Sequence, residues 1–501
     1  MALIEKIRMS GVLTIAVALF WGGSVRLRAD EVITIDPGAP AKPFPHFWEQ
    51  AFGSGRAVLT MRQSYRDDLR AAKRITDFKY VRFHAIFHDE MGVYDEDAQG
   101  RPVYNFSYVD QVYDGLLENG VKPFVELSFM PRKLAKNLTP HPFWYKQLPS
   151  PPNDPRKWAA LITAFTNHLL ERYGKAEVES WYFEVWNEPN IDFWNGVPKE
   201  QTYYDLYDST VKAIKAIDAN LRVGGPSTAQ AGWVDRFISH CLETHVPFDF
   251  VSSHIYGNEK SEDIFGKHVD VSQKDMVARA ARKVYDQVKA SGVPDTPIFW
   301  TEYNATYMNR PDTTDSAFMG PWLANNIREC DGLTQMMSYW TFSDVFEEQG
   351  IVKTPFYGGF GLIAERSIPK AAFRAFELLH QLGDSRMASD SENALVTKRA
   401  DGTVLLALWN YADPGQQGPE KVFQLQLKGA SSGSYRIQIV DPKHGSAFEK
   451  WMAIGSPNLP TLAQIHELRQ ASVLPPAETH ALNEPIRLPA HALALVELRV
   501  Q

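Results

Sequence analysis

Cysteine is almost absent. The 501-residue chain carries only Cys241 and Cys330, too few and too far apart for a disulfide framework of the kind that holds small secreted domains together. Spacing alone leaves open whether these two pair. No Cys/His set has metal-ligand spacing, so the sequence offers no zinc-type site. A basic excess is missing as well: the net charge is −8, and without a Lys/Arg stripe a nucleic-acid partner is not expected. No Gly-rich phosphate loop opens any helical pattern, which argues against a doubly wound nucleotide-binding sheet. Internal repeats and low-complexity tracts are lacking, and no apolar run reaches the roughly 20 residues of a membrane span. The nearest approach is at the N-terminus, where Lys6 and Arg8 precede the uncharged stretch Met9–Val25 with its apolar core Val12–Trp21. This reads as a secretory signal over residues 1–29, giving an exported protein with no membrane attachment after cleavage. Arg26 and Arg28 behind that core leave an uncleaved anchor as the alternative.

What remains is an ordinary globular composition, 44% hydrophobic and 22% charged, with length for one large and one smaller domain. Aromatic residues make up 12%, with 13 Trp, compatible with sugar contact and equally with packing. Between about residues 47 and 383 the pattern alternates strand and helix eight times. The strands are expected at Trp48–Gly53, Tyr80–Ile86, Lys122–Phe129, Trp181–Glu188, Arg222–Ser227, Phe248–Tyr256, Pro297–Asn304 and Gln335–Asp344. Helical spacing falls between them over Asp67–Ile75, Tyr108–Glu118, Trp158–Tyr173 and Tyr203–Ile217, then Trp233–Leu242, Met276–Ala290, Phe318–Glu329 and Lys370–Leu379. Eight such units fit an α/β fold of the closed (β/α)8 TIM-barrel type. From residue 384 to 501 the runs become short and β-rich, over Ala394–Arg399, Val404–Trp409, Val422–Leu427, Tyr435–Val440 and Ile486–Val500. They read as an appended antiparallel β-sandwich. Residues 30–46 hold one strand, Glu31–Ile35, expected to join that sandwich at an edge. The Pro-interrupted stretch Gly455–Pro476 has no clear pattern.

Two strand candidates end in a carboxylate. Trp181–Asn190 reads WYFEVWNEPN, an apolar run typical of a strand buried on both faces, and it delivers Asn187 and Glu188 at its C-terminal end. Pro297–Asn304, PIFWTEYN, delivers Glu302 in the same way. In a (β/α)8 barrel the C-terminal ends of the strands form the catalytic face. Two carboxyl groups about 5–5.5 Å apart on one rim are what glycoside cleavage with retained configuration requires. Glutamates at strand ends are usually solvated, but the pairing of Trp-Asn-Glu-Pro with Trp-Thr-Glu-Tyr favours the chemical reading.

These segments, with Tyr80–Tyr94 (YVRFHAIFHDEMGVY), Asn105–Pro131 (NFSYVDQVYDGLLENGVKPFVELSFMP), Ser252–Gly257 (SSHIYG) and Tyr339–Glu348 (YWTFSDVFEE), resemble glycoside hydrolase family 39, most of all its β-xylosidases. The likeness covers the barrel almost throughout and the sandwich more loosely. It implies that Glu188 is the general acid/base and Glu302 the nucleophile, with Asn187 on the sugar 2-hydroxyl. By the same resemblance Tyr256 and His254 lie near Glu302, Trp340 forms the floor under the sugar ring, and His84 binds a hydroxyl of the terminal sugar. Arg82 would orient the barrel carboxylates, and Glu347 and Glu348 would take the outer hydroxyls. Phe193 and Trp194 are assigned to the entrance, and Trp144, Trp158 and Trp233 to packing or periphery. His84 and His88 have i, i+4 spacing, but a strand gives that spacing no metal geometry, so neither metal nor cofactor is expected. Phe83 and Ala85 stand where many β-xylosidases of the family carry Gly, bulkier neighbours of His84 that bear on the shape of the far end of the pocket and so on the sugar it takes.

The expected activity is therefore release of terminal β-D-xylose from xylo-oligosaccharides by double displacement through a covalent glycosyl-enzyme. The partner is the oligosaccharide, and association as a homo-oligomer stays open. Rival sugars on the same chemistry are those of an α-L-iduronidase, a β-glucosidase or an α-L-arabinosidase. A uronidase would need Lys or Arg near the outer hydroxyl sites, where Glu347 and Glu348 argue against it. A non-catalytic glycan-binding barrel is the rival of a different class.

Overall fold

The computed structural model describes residues 31–429 and 432–499; the signal expected over residues 1–29 lies outside the described residues. Eight strands close into an all-parallel barrel: β1 (Ala51–Gly53), β2 (Tyr80–Phe83), β3 (Lys122–Leu127), β4 (Tyr182–Val185), β5 (Arg222–Thr228), β6 (Phe250–Tyr256), β7 (Ile298–Asn304) and β8 (Met336–Tyr339). Each pairs with the next in chain order, and β8 pairs back onto β1. The main helix after each strand is, in turn, α1 (Gln63–Ile75), α2 (Ser107–Leu117), α3 (Pro155–Tyr173), α4 (Lys199–Ile217), α5 (Val234–Thr244), α6 (Met276–Ala290), α7 (Met319–Cys330) and α8 (Ala371–Leu379). Helix α3 starts where the residues dictate: the Asp154 side chain caps the Arg156 N–H, and Pro155 takes the first helical position.

All eight expected strands and helices correspond to elements, but several strand ends differ. Phe47–Glu49 is a turn of 3-10 helix, and β1 begins only at Ala51. Strand β2 stops at Phe83, β4 at Val185 and β8 at Tyr339, each short of its apolar run. After β2 and β4 the chain leaves the ladder through left-handed residues, Ala85 (φ 75°), Trp186 (φ 74°) and Glu188 (φ 46°). Positive φ is unusual for a bulky residue and clusters at functional sites. Here it turns the Glu188 carboxyl inward from the top of β4.

The barrel interior is layered because alternate strand residues point inward. Ala51, Phe124, Phe250, Phe299 and Met336, with Tyr80 and Tyr182 against them, form an apolar plug. One step along the same strands, charged and polar residues replace the aromatics: Arg82, Glu126, Glu184 and Thr301, with His254 a step higher past a bulge in β6, all buried. The next step is the mouth. The plug excludes water from below, so this polar layer sits in a low-dielectric environment and its charges must pair with one another.

Beyond the barrel a seven-stranded antiparallel sheet runs in the order Ala41–Pro43, Ser385–Met387, Ala394–Lys398, Val404–Asn410, Ala492–Arg499, Ser434–Val440, Glu478–Ala481. A second sheet joins Glu31–Ile35, Lys421–Leu427 and Ile486–Leu488. The N-terminal strand does take an edge, but it pairs parallel with Lys421–Leu427, so the sandwich is not wholly antiparallel. Residues Ala41–Pro43 also cap the edge of the larger sheet, a strand the sequence pattern did not suggest. The run Val404–Asn410 is apolar on both faces for a reason. Leu406 and Leu408 face the sandwich core, while Leu405, Ala407 and Trp409 join the barrel core. The unread stretch contains helix Leu462–Ala471, begun by a capping box between Thr461 and Gln464. With helix Ala447–Ala453 it packs on Phe356 and Ile368.

Cys241 on α5 and Cys330 on α7 are both buried free thiols. Among the described residues no helix is long and apolar enough to cross a membrane.

Candidate active site

A cavity of about 440 Å³ opens at the C-terminal face of the barrel and is lined by Glu188, Glu302, Asn187, His84, Tyr256, Trp340, Glu348 and Phe193, among others. One carboxylate oxygen of Glu188, one of Glu302 and a ring nitrogen of His254 lie within 4.8 Å of one another. That closeness fits the shorter carboxylate separation used for retention and not the roughly 6.5–9.5 Å that inversion needs to admit a water.

Arg82, fully buried beneath the pair, organises it. Its guanidinium donates to Glu302 Oε1 (2.7 Å), Glu184 Oε2 (2.6 Å) and Asn187 Oδ1 (2.9 Å) and lies 2.8 Å from Glu126 Oε2. Because the Asn187 oxygen is taken by Arg82, its NH₂ group is the end left for the cavity. Tyr256 donates its phenol to Glu302 Oε2 at 2.7 Å. Burial pushes the Glu302 carboxyl up, while Arg82, His84 and Tyr256 pull it back toward the ionised form. For Glu188, burial and then the charge of Glu302 both raise the pKa, well above the usual carboxylate range. Both carboxyls end up raised, Glu188 the further, and the cation, imidazole and phenol around Glu302 favour its charge, so Glu188 is the one that keeps a proton first, the division that acid and nucleophile roles require.

His254 reinforces the neutral state. Burial, with Arg82 next, drives its pKa far down, so the ring is uncharged. Thr301 donates its hydroxyl proton to Glu184 Oε1 (2.8 Å), leaving Thr301 Oγ1 to accept from His254 Nε2–H at 3.1 Å. The Nδ1 lone pair then faces Glu188 Oε1 at 2.9 Å, where a protonated carboxyl is the matching donor. His254 therefore serves Glu188 more directly than Glu302, from which its Nδ1 lies 3.7 Å. This set, and a second made of His46 and Glu49 before β1 with His380 at the end of α8, are the two groups of three ligand atoms among the described residues compact enough for a cation.

His84 stands against Glu126 (2.7 Å) and 3.8 Å from Glu348, with its ring 4.8 Å from that of Trp340. Burial opposes its charge, but Glu126 outweighs that and raises its pKa. Burial also pushes the Glu348 carboxyl up to about 8. Two assignments need correction. Glu347 does not line this cavity; Arg62 (3.0 Å) and Arg56 (3.8 Å), from the segment after β1, hold its carboxylate on the other side of the loop. Trp194 is 1% exposed, packed against Trp186 and bonded to Thr202, so only Phe193 of that pair reaches the entrance. Trp158 is buried under the helices and bonded to Thr210, whereas Trp144 is 59% exposed.

Sequence reasoning missed Glu126, Glu184 and Thr301. The signal was available: glutamates inside the apolar runs KPFVEL and YFEVW can only face inward among charges.

A charged Glu302 needs the Tyr256 bond most at low pH. Tyr256→Phe removes one contact that lowers the Glu302 pKa, so the acid limb of kcat/KM moves to higher pH. The lost bond to a charged group is worth about 1.5–3 kcal/mol. A pH–rate profile of the variant checks this, and an unmoved acid limb would contradict the assignment.

A (β/α)8 barrel with two such carboxyl groups at its C-terminal mouth has the geometry of the retaining glycoside hydrolases. The family model for glycosyl hydrolases family 39 matches residues 31–484, and the chain belongs to that family. It is 35% identical over 460 residues to a β-xylosidase of Geobacillus stearothermophilus, covering 89% of each chain. The crystal structure of a monomeric β-xylosidase from Caulobacter crescentus CB15 superposes with a TM-score of 0.84 at 32% identity, covering 94% of this chain and 99% of the other. A shorter similarity, 28% over 212 residues, reaches human α-L-iduronidase and covers 39% of this chain and 29% of that one. The protein is a glycoside hydrolase.

Proposed function

We propose that this enzyme is a retaining exo-β-xylosidase that removes terminal β-D-xylose from xylo-oligosaccharides through a covalent xylosyl-enzyme. Glu302 attacks the anomeric carbon while Glu188 protonates the departing oxygen. Glu188, now ionised, then takes a proton from the water that displaces Glu302. The Asn187 amide donates to the 2-hydroxyl, Trp340 lies under the ring, and His84 and Glu348 bind the remaining hydroxyls. Glu347 acts at a remove, bracing the loop through Arg62.

The observation that carries the sugar assignment is the charge of the lining. Five carboxyl groups (Glu188, Asp192, Glu259, Glu302 and Glu348) and no Lys or Arg occur among the described residues that line the cavity. A uronic acid such as iduronate would meet five carboxyl groups with no Lys or Arg to hold its own, and the lining cation, His84, is already matched to Glu126 at 2.7 Å, so a neutral sugar is favoured. Trp340 and Phe360 line one end, both packed edge to face on Phe346 behind them at 5.7 and 5.6 Å, and this wall supports attack on chain termini. Export, supported by the charged-then-apolar N-terminus, fits a polymer-derived substrate; cell fractionation tests it.

The direct test is a panel of nitrophenyl glycosides with proton NMR of the first product. The β-xyloside is expected to be cleaved best, with β-xylose formed before mutarotation. First appearance of α-xylose would sink the retaining mechanism, and preference for an iduronide would sink the sugar.

The acid role of Glu188 has its own signature. Glu188→Ala should reduce first-step activity on a dinitrophenyl xyloside far less than on xylobiose, because a good leaving group needs no proton. Equal losses on both would count against the assignment.

A further inference from the structure

The barrel order divides the mouth. His84, Trp340 and Glu348 come from the ends of β2 and β8, whereas Gln230, Glu259 and Tyr307 come from the loops after β5, β6 and β7 and line the same cavity. In the closed barrel β5 and β6 stand across from β1 and β2. Glu188, at the top of the adjoining β4, gives its proton to the leaving oxygen, so the leaving group lies over the loops after β5 and β6.

Glu259 is prepared for a ligand there. Its backbone N–H is anchored on Tyr256 O (3.1 Å), and its Oε2 accepts from Gln230 Nε2 at 3.2 Å. Its Oε1 accepts no hydrogen bond from the described residues. Gln230 reaches it from a left-handed backbone position, φ 62°. Tyr307, 49% exposed, stands edge-on to Tyr256 with ring centroids 6.2 Å apart, donates its backbone N–H to Asn258 Oδ1 (3.0 Å), the neighbour of Glu259 in the chain, and lines the same cavity. A carboxyl oxygen without a partner among the described residues, next to an exposed ring, suits a sugar, which presents hydroxyls on its rim and C–H groups on its face.

We propose that Glu259, steadied by Gln230 and flanked by Tyr307, selects the leaving group, accepting hydroxyl hydrogen bonds from a neutral second sugar. This rests on the xylosidase reading above. Burial raises the Glu259 carboxyl to about 7, in keeping with a cavity position over a solvated rim.

The test compares kcat/KM on xylobiose and on 4-nitrophenyl β-D-xyloside, whose leaving group has no hydroxyl to donate to Glu259, each at the variant's optimum pH. Glu259→Ala is expected to lose about tenfold more on xylobiose than on the aryl xyloside, the scale of one lost hydrogen bond. Glu259→Gln, which keeps one carbonyl acceptor, should fall between. Glu259 also raises the Glu188 carboxyl, and a weakened acid weighs more on xylobiose than on the aryl xyloside. Methyl β-D-xyloside, whose leaving group needs the proton but carries no hydroxyl, is therefore the second reference. It should keep its activity as the aryl xyloside does, and a loss equal to that on xylobiose would overturn the proposal. Equal losses on xylobiose and the aryl xyloside, or none on xylobiose, would overturn the proposal while leaving the xylosidase reading intact. An unaltered enzyme that cleaves neither xyloside would overturn both, and would be recognised before any variant is made.

Discussion

Glu302→Ala is expected to lower kcat on 4-nitrophenyl β-D-xyloside by roughly five to six orders of magnitude, the scale seen when a covalent nucleophile is deleted. The fold should survive, because Arg82 keeps Glu126, Glu184 and Asn187 as partners after the carboxylate is gone. Truncation also leaves space where the carboxylate stood, and a small anion such as azide can enter it beside the Arg82 guanidinium. Attack from that side yields the α-xylosyl azide. In Glu188→Ala the nucleophile is still present, the xylosyl-enzyme forms, and azide arrives from the opposite face to give the β-azide. Product NMR on the two variants therefore separates the two glutamates by stereochemistry as well as by rate. Near-native turnover of Glu302→Ala, or the β-azide from it, would refute its role.

The second large effect is on stability. Lys370, at the start of α8, is fully buried between two carboxylates. Its Nζ lies 2.6 Å from Asp315 Oδ1 and 2.6 Å from Asp344 Oδ2, and it donates to Gly359 O at 2.8 Å. The carboxylates in turn accept the N–H groups of Gly358 (2.6 Å) and Gly361 (2.7 Å). The loop between Trp340 and Phe360, which carries Glu348, is tied down by this cluster. Lys370→Met leaves two buried carboxylates facing each other, and loss of one partner from such a site costs about 3–5 kcal/mol.

Protonation offers partial relief, so the pH dependence has a definite sign. Burial already raises the pKa of both Asp315 and Asp344, and Lys370 holds them down. Without it their folded-state values rise further above the unfolded ones. The folded variant then binds more protons than the unfolded chain, and its stability falls as pH rises through that window. Urea midpoints at pH 5.5 and 8 measure this: the variant should be the weaker of the two proteins at both, with the larger deficit at pH 8. Adding Asp315→Asn and Asp344→Asn should recover part of the loss, since a neutral cluster costs less than an unpaired one. A midpoint unchanged at pH 8 would show that Lys370 is not what holds the loop.

Much of this molecule can be read along the chain because its elements are local. The apolar runs and helical spacings lie in the right order for a (β/α)8 barrel, and Glu188 follows β4 while Glu302 lies near the end of β7, strands whose burial on both faces is written in their residues. The sequence pattern overran at strand ends for one reason. Apolar residues such as Ala85, Ile86 and Trp186 continue past the last ladder bond, and only backbone φ reveals that the chain has already turned.

The neighbouring glutamates after β8 mark the boundary of what sequence can determine. Glu347 and Glu348 are chemically identical and adjacent, yet one is held by Arg62 from the other end of the barrel domain and the other enters the sugar cavity. That choice follows from a left-handed turn at Glu347 (φ 59°) and from a cation brought close only by barrel closure. The same holds for the acid and the nucleophile. Residue order supplied two carboxyl groups, two strands and a resemblance. The difference in their hold on a proton comes from Arg82, Thr301, His254 and Tyr256, contributed by β2, by β6 and by β7 itself. Local pattern determined the fold class because hydrophobic periodicity is a property of contiguous residues. Tertiary structure decided which carboxyl keeps its proton, because desolvation and pairing act between groups that are distant along the chain and meet only when the barrel closes.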